Sequence, residues 1–155
     1  AEYSAEYDWD VESATRRDAR SYLSDLYALI TSDPALQESS NQSLLALVEV
    51  QAITARFFDV SSTYNGTNSL APYDADKLKP KVASAQFKAR LDRLAQSLDK
   101  ASAKRILSAK AKWEFVENSV VNYSDQSAFF LVYATKNKIS KVLQNVQTSL
   151  AVSAI

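Results

Sequence analysis

Apolar or small side chains recur every three or four residues from Lys81 to Tyr123, and neither glycine nor proline interrupts the stretch. This spacing keeps one face of an α-helix apolar throughout. The positions on that face are Phe87, Leu91, Leu94, Leu98, Ser102, Ile106, Ala109, Trp113, Val116 and Val120. A helix on the order of 60 Å long, at about 1.5 Å per residue, cannot bury such a face alone. The pattern therefore predicts partner helices.

Three further segments have the same helical periodicity. The first begins near Asp8 or Asp10, where acidic side chains suit a helix N-terminus, and follows a mobile lead-in at 1–8. It ends by Asp33, because Pro34 disfavours a helical conformation in the residue before it. Its core-facing side chains are predicted to be Ala19, Leu23, Leu26 and Ile30. Side chains that widen the same face are Trp9, Tyr22, Tyr27 and Leu29.

The second segment starts after the cap candidates at 39–41 and runs to about Tyr64. The last segment follows a polar corner at 123–127 and frays after about Leu150. Between the second helix and the long stretch, residues 65–79 form a connection longer than the roughly two to eight residues typical of bundles. Long loops often carry function; the alternative is a structural strap across the end of the bundle.

One weakness interrupts the long stretch, since Asp99 and Ser102 are both able to cap a new helix at 99–103. The chain contains one glycine and three prolines, too few for the tight turns of a β-rich fold. Its 155 residues suffice for one core. The sequence therefore predicts a single all-α domain over 1–155, an antiparallel bundle of four long helices, or of five if the stretch breaks.

The composition excludes several kinds of chemistry. Cysteine and histidine are both absent, which rules out Ser-His-Asp and Cys-His catalysis and thiolate metal sites. Glu114 and Glu117 are the carboxylates beside Trp113, but Lys110 and Lys112 are close enough in sequence to keep them ionised as surface ion pairs. We therefore expect no enzymatic activity, no cofactor and no metal.

The start of the chain favours export. It begins at Ala1 without an initiator methionine, as expected after removal of a leader, and this predicts a secreted or periplasmic location. No apolar run approaches the roughly 18 residues of a membrane span. The overall plan, an exported bundle without His or Cys, is similar to that of periplasmic sensory bundles, although it matches none of their signature motifs and no residue role is transferred.

Charge is segregated along the chain. Residues 1–76 hold thirteen acidic and four basic side chains, whereas residues 77–112 hold eleven basic and two acidic ones. This pattern favours acidic helices packed beside a basic helix, or a basic surface for an anionic partner. A solvent-facing row opposite the apolar face is predicted to contain Arg90, Arg93, Lys100 and Lys104. Aromatic side chains do not alternate with these charges, which argues against a nucleic-acid partner.

Aromatic side chains crowd around the corner between the last two predicted helices. They outnumber what one helix face buries, so some of them are candidates for a pocket between helices. Arg105 lies near the edge of the apolar face and suits a specific contact, and Tyr73 lies in the long connection. The candidate ligand- or partner-binding residues are Trp113, Asn122, Tyr123, Gln126, Tyr133, Lys136, Arg105 and Tyr73.

Together these patterns predict a non-catalytic, exported helical-bundle domain that binds a partner protein or a small organic ligand. One alternative is a structural subunit of the coat or filament type, paired through acidic and basic faces. A second is a periplasmic-type small-molecule sensor, and a third is a carboxylate-dependent enzyme. The sequence leaves the oligomeric state open.

Overall fold

The structure, a computed structural model, describes residues 5–62 and 77–153, and in residues 5–14 and at Gln126 it describes the backbone alone. These residues form five α-helices, three short 3₁₀ helices and, within the two described ranges, no β-strand. The helices are α1 (Ala5–Ser32), α2 (Gln42–Ser62), α3 (Pro80–Ser97), α4 (Lys100–Asn122) and α5 (Phe129–Ser153). The prediction of an all-α bundle is confirmed.

Helices α2 to α5 form a ring in which each helix packs on the next and α5 closes on α2. Neighbouring helices run in opposite directions. The Ser43 hydroxyl near the start of α2 donates to the Leu143 carbonyl late in α5 (2.7 Å), whereas Phe58 near the end of α2 contacts Phe129 at the start of α5. Helix α1 lies outside the ring and packs on α2 much more lightly.

The core of the ring is built from aromatic and aliphatic side chains of all four helices. Trp113 and Phe87 meet edge to face with ring centroids 5.3 Å apart, and both are fully buried, as is Phe57. Burial of one large apolar side chain contributes about 1.5–3 kcal/mol. The other fully buried apolar side chains include Leu45, Val50, Ile53, Val60, Leu91, Ile106, Ile139 and Leu143.

The stretch predicted as one continuous helix is two helices, so the five-helix alternative is confirmed. Helix α3 ends at Ser97, Leu98 is extended, and the Asp99 carboxylate accepts hydrogen bonds from the backbone N–H groups of Ala101 (2.9 Å) and Ser102 (3.0 Å). The apolar spacing continues through the break because α3 and α4 fold back as a hairpin and face the same core.

Other boundaries differ slightly from the prediction. Helix α1 already begins at Ala5, so part of the predicted lead-in is helical, and it ends at Ser32, in agreement with the predicted stop by Asp33. The cap candidates Ser39–Asn41 form a short 3₁₀ helix that leads into α2. Most of the predicted long connection, including Tyr73, lies outside the described residues.

The corner between α4 and α5 depends on an unusual residue. Tyr123 ends α4 in the left-handed conformation with φ 51°, which glycine adopts far more easily. A short 3₁₀ helix at Gln126–Ala128 follows, and the Asp125 carboxylate caps it by accepting from the Ser127 N–H (3.0 Å). The corner turns the chain so that α5 packs against both α4 and α2.

Candidate functional site

Trp113, the centre of the predicted binding corner, lies in the core between α3 and α4. Its indole N–H donates to the Ser84 hydroxyl (2.9 Å), and its ring packs on Phe87. The side chain has no exposed surface. A ligand at the surface of the folded protein therefore does not contact Trp113.

Two of the other predicted residues meet at the edge between α2 and α5. The Lys136 amino group lies 5.3 Å from the centroid of the Tyr133 ring, and that ring is 6.3 Å from Phe58. Phe58 in turn contacts Phe129 at 4.7 Å between centroids. These side chains form a half-exposed cluster of tilted aromatic rings with a cation at one end.

The remaining predicted residues are dispersed. Asn122 is exposed and its side-chain amide donates to the Asn118 side-chain oxygen (2.8 Å), while Tyr123 is half-buried at the corner. The side chain of Gln126 lies outside the described part of the chain, as does the whole of Tyr73. Arg105 is on another side of the bundle, in the pocket between α4 and α5 described below.

The prediction that aromatics exceed what the core buries holds for two phenylalanines. Phe115 on α4 is 76% exposed and Phe130 on α5 is 80% exposed. Exposed apolar side chains that stand singly are ordinary on protein surfaces. Neither residue lines one of the pockets described below.

An apolar groove of about 580 Å³ lies between α1 and α2. We call this the α1–α2 groove. Three large aliphatic side chains of α1, namely Leu23, Leu26 and Ile30, form one wall. The wall formed by α2 consists mainly of small and aliphatic side chains, and the apolar lining residues outside α1 are Leu47, Val48, Ala52, Ala55 and Leu78.

Polar groups lie toward one end of the α1–α2 groove. The Arg20 guanidinium donates two hydrogen bonds to the Asp59 carboxylate, one of them between Nη2 and Oδ1 at 3.3 Å. Arg16 contributes a second cation, with its Nη1 3.7 Å from Asp59 Oδ1. These pairs connect α1 to the C-terminal half of α2.

A second attachment holds α1 beside the start of α3. The Ser24 hydroxyl accepts hydrogen bonds from the backbone N–H groups of Lys77 (2.7 Å) and Leu78 (3.2 Å). The Leu78 carbonyl accepts from the buried Arg56 of α2 (2.9 Å). The segment just before α3 is thus bound to both α1 and α2.

The apolar face predicted for the first helix is not in the core. Ala19, Leu23, Leu26 and Ile30 all line the α1–α2 groove, and Leu23 remains 50% exposed although it faces α2. Among the α1 side chains that the structure describes, those of residues 15–32, Tyr27 is the apolar one that reaches the core. The expected core placement of this face is therefore wrong, because α1 stands away from α2 along much of its length.

A shallow second pocket of about 400 Å³ lies between α4 and α5. We call it the α4–α5 pocket. Three cationic side chains, Lys104, Arg105 and Lys112, line it together with the small side chains of Ala101 and Ser108. Helix α5 contributes Val142. The predicted candidate Arg105 thus lies in a concave cationic site that is separate from the aromatic corner.

A buried ion pair links α2 and α3 inside the bundle. Arg90 donates two hydrogen bonds to the Glu49 carboxylate, each of 3.0 Å, and a third to the side-chain oxygen of Gln42. Burial raises the pKa of Glu49, although the hydrogen bonds and charge of Arg90 oppose the shift. The predicted solvent-facing position of Arg90 is wrong. The sequence feature that indicates this buried ion pair is Glu49, a single charged residue within an apolar run.

Both carboxylates of α4 form ion pairs, and Glu114 does so with the predicted Lys110, whereas Glu117 binds Lys88 of α3 and not the predicted Lys112. Glu114 Oε1 lies 3.9 Å from the Lys110 amino group, which also binds both oxygens of Asp92 at 2.8 Å. Glu117 accepts from Lys88 (2.8 Å) and from the Ser84 hydroxyl (2.6 Å). The partners lie largely on α3, and the arrangement stabilises the α3–α4 hairpin.

Within the described ranges, no group of three or more acidic, histidine or cysteine side chains is arranged to hold a metal ion. The helices described are also too short or too polar to cross a lipid bilayer. Comparisons with protein families, curated proteins and solved structures found no match to this chain.

Proposed function

We propose that this protein is a non-catalytic binding domain that takes an elongated apolar ligand into the α1–α2 groove. The observation that carries the proposal is the groove itself, a cavity of about 580 Å³ with aliphatic walls on two helices. Ligand pockets have volumes of about 300–1,000 Å³ and predominantly apolar linings with a few polar groups. The groove fits this description.

The incomplete packing of α1 supports the same proposal. Leu23 and Leu26 face α2 and yet remain partly exposed. Covering the exposed half of one such side chain contributes about 0.8–1.5 kcal/mol, half of the value for full burial. An apolar ligand between the helices would therefore gain binding free energy from surfaces that the folded chain leaves uncovered.

The shape and polarity of the groove define the class of ligand. Its lining on α1 runs from Arg16 to Ile30, about 21 Å at the helical rise per residue. Charged groups, Arg16, Arg20 and Asp59, lie toward one end, and the rest of the lining is mostly apolar. This arrangement suits a long apolar molecule, such as an acyl chain, whose polar end lies near Arg20.

Binding is tested with the uncharged fluorophore N-phenyl-1-naphthylamine, which becomes brighter in apolar surroundings. We expect saturable binding by the full chain. Ala52→Trp fills the groove from the α2 side, and Leu23→Gln makes the α1 wall polar; each should weaken binding at least about tenfold, the cost of losing one buried leucine contact. Leu29→Gln is the matched control, because Leu29 is on the same helix and points away from the groove.

Equal affinity of Leu23→Gln, Ala52→Trp and Leu29→Gln would overturn the proposal. Competition then identifies the ligand class: displacement of the fluorophore by fatty acids of increasing length supports a small apolar ligand. Displacement only by an amphipathic helical peptide would instead favour a partner protein that lays its apolar face into the groove.

Export and assembly stay predictions from the sequence. The assembly alternative rests on the segregated charge, and it predicts self-association that weakens as salt is added. Sedimentation velocity at low and high salt distinguishes it from the binding-domain proposal, which expects no dependence of the mass on salt.

A further inference from the structure

The charges of α4 are sorted between two sides of the helix. Both of its carboxylates are paired on the side facing α3, where Glu117 binds Lys88 and Glu114 lies near Lys110. The side facing α5 carries Lys104, Arg105 and Lys112, which line the α4–α5 pocket. None of the ion pairs found among the described residues includes these three cations.

Helix α5 adds no negative charge to this pocket. Its sequence from Phe129 to Ser153 contains three lysines and neither aspartate nor glutamate. Lys138 is one helical turn before Val142, on the same side of the helix, and Val142 lines the pocket. Helix α5 thus brings an apolar side chain and no carboxylate to the pocket, whose cations come from α4.

The small side chains make this cationic surface concave. Ala101 and Ser108 leave space between the longer side chains, and the Lys112 amino group lies 3.4 Å from the Ser108 hydroxyl. Lys104, Ser108 and Lys112 follow one another at intervals of four residues, so they stack on one side of α4. Arg105 adds a planar set of donors that matches two oxygens of one anion.

Lys104, Arg105 and Lys112 lie within about two helical turns of one another, and their positive charges repel one another through space. A multivalent anion removes that repulsion and accepts several hydrogen bonds at once. We infer that the α4–α5 pocket binds the phosphate groups of a diphosphate-bearing ligand, held by Lys104, Arg105 and Lys112. The site is separate from the α1–α2 groove, because α4 and α5 form the side of the ring away from α1.

The probe for this site is inorganic pyrophosphate, titrated into the full chain and followed by calorimetry. Salt is kept at about 0.15 M, where screening over about 8 Å suppresses attraction by distant charges. The Arg105→Gln/Lys112→Gln variant should bind at least about tenfold more weakly, because it loses two charge-assisted hydrogen-bond donors.

The matched control is Lys81→Gln/Arg93→Gln. It removes the same net charge from two exposed positions on α3, and neither residue lines the α4–α5 pocket. Its affinity for pyrophosphate should stay within about twofold of the unmodified protein, as expected for distant screened charges. Circular dichroism of both variants verifies the helical fold. Equal weakening in the two variants would show attraction by overall charge and overturn the inference.

A second arm distinguishes a soluble ligand from a lipid headgroup. Flotation with phosphatidylcholine vesicles is compared with and without a polyisoprenyl diphosphate, an acidic lipid whose headgroup is a diphosphate. Pocket-dependent binding of pyrophosphate alone identifies a soluble phosphate ligand, and pocket-dependent binding of the acidic vesicles identifies a headgroup. Failure of both probes to bind overturns the inference. Ala52→Trp fills the α1–α2 groove and should retain binding of whichever phosphate probe binds. The proposal for the α4–α5 pocket is therefore tested independently of the proposal for the groove.

Discussion

Tyr27 connects α1 to the core, and burial there changes the pKa of its phenol. Burial, reinforced by the negative charge of Glu49, raises the pKa of Tyr27 from 10.0 to about 12. Between these pH values the folded protein keeps a proton that the unfolded chain releases. The corresponding stability is therefore present below pH 10 and lost as the pH rises toward 12.

We expect the free energy of unfolding to fall in this range by about 3 kcal/mol more in the unmodified protein than in Tyr27→Phe, at about 1.4 kcal/mol per pH unit. Urea titrations between pH 9 and 12 measure the difference, and the general loss of lysine charge affects both proteins. Tyr22→Phe removes an exposed phenol from the same helix and should retain the steep decline. Identical profiles for Tyr27→Phe and the unmodified protein would contradict the assignment.

The pair formed by Glu49 and Arg90 gives a second prediction at the scale of the residue. Glu49→Gln leaves the buried Arg90 charge without a counter-charge, which costs about 3–5 kcal/mol for buried pairs. Glu49→Leu/Arg90→Met removes both charges and should be close to the unmodified protein in stability. Urea unfolding tests this. A double variant no more stable than Glu49→Gln would contradict the prediction, because the cost would then not come from leaving one buried charge unpaired.

At the scale of the element, the hairpin of α3 and α4 depends on Asp99. Its carboxylate satisfies two N–H groups of the first turn of α4, and the hydrogen bonds from Ser102 lower the pKa of Asp99. The stabilisation is thus present above the ordinary value of 3.8 and is lost as the pH falls through the lowered folded value.

Asp99→Ala should fray the start of α4, because the two N–H groups lose their acceptor. Amide exchange followed by NMR should become faster at Ala101 and Ser102 and stay unchanged in the middle of α4. Asp99→Asn keeps a capping oxygen without the ionisable group. We expect it to restore most of the protection and to abolish its dependence on acidic pH. Unchanged exchange in Asp99→Ala would rule out a role for the cap.

The same elements show what periodicity predicts well. Spacings of three and four identify the helices, and the cap candidate Asp99 marks the break, because capping depends on a few consecutive residues. Periodicity identifies an apolar face but does not show which element packs against it. The sequence therefore predicts Leu23 in the core, although α1 stands away from α2. Arg90 was missed because its partner, Glu49, is on a helix far away in sequence.

The candidate sites were harder to predict than the helices. Arg105 is predicted as a candidate contact because it lies near the edge of the apolar face, and the geometry of a single helix is enough to give that position. Val142 became part of the same pocket only through the pairing of α4 with α5. Trp113 was placed in a binding corner because it is near other aromatics in sequence, whereas packing against Phe87 takes it into the core.

At the scale of the whole molecule, a closed ring of four helices carries a fifth that is less firmly held. Regions with few buried apolar contacts open locally at lower free energy than the core. We therefore expect the amides of α1 from Leu23 to Ile30 to exchange faster than those of α5 from Ile139 to Leu143.

Hydrogen exchange with mass spectrometry measures both sets in one experiment. Saturation with N-phenyl-1-naphthylamine should slow exchange in α1 and leave α5 unchanged, since the groove is lined by α1 and α2. Leu29→Gln serves as a control that retains this slowing, and Ala52→Trp should lose it. Uniform exchange along the chain would contradict the looser attachment of α1.

The attachments of α1 are unequal, and this determines how the helix moves. Ser24 is bound to Lys77 and Leu78, and residues 33–41, which include the 3₁₀ helix Ser39–Asn41, connect Ser32 to α2. The C-terminal half of α1 is therefore held both by these hydrogen bonds and by the connecting chain. Closer to its N-terminus, α1 is attached to α2 through the ion pair of Arg20 with Asp59. Salt weakens a partly exposed ion pair. High ionic strength should therefore loosen this attachment and speed the entry of an uncharged ligand, while the hydrogen bonds of Ser24 stay in place.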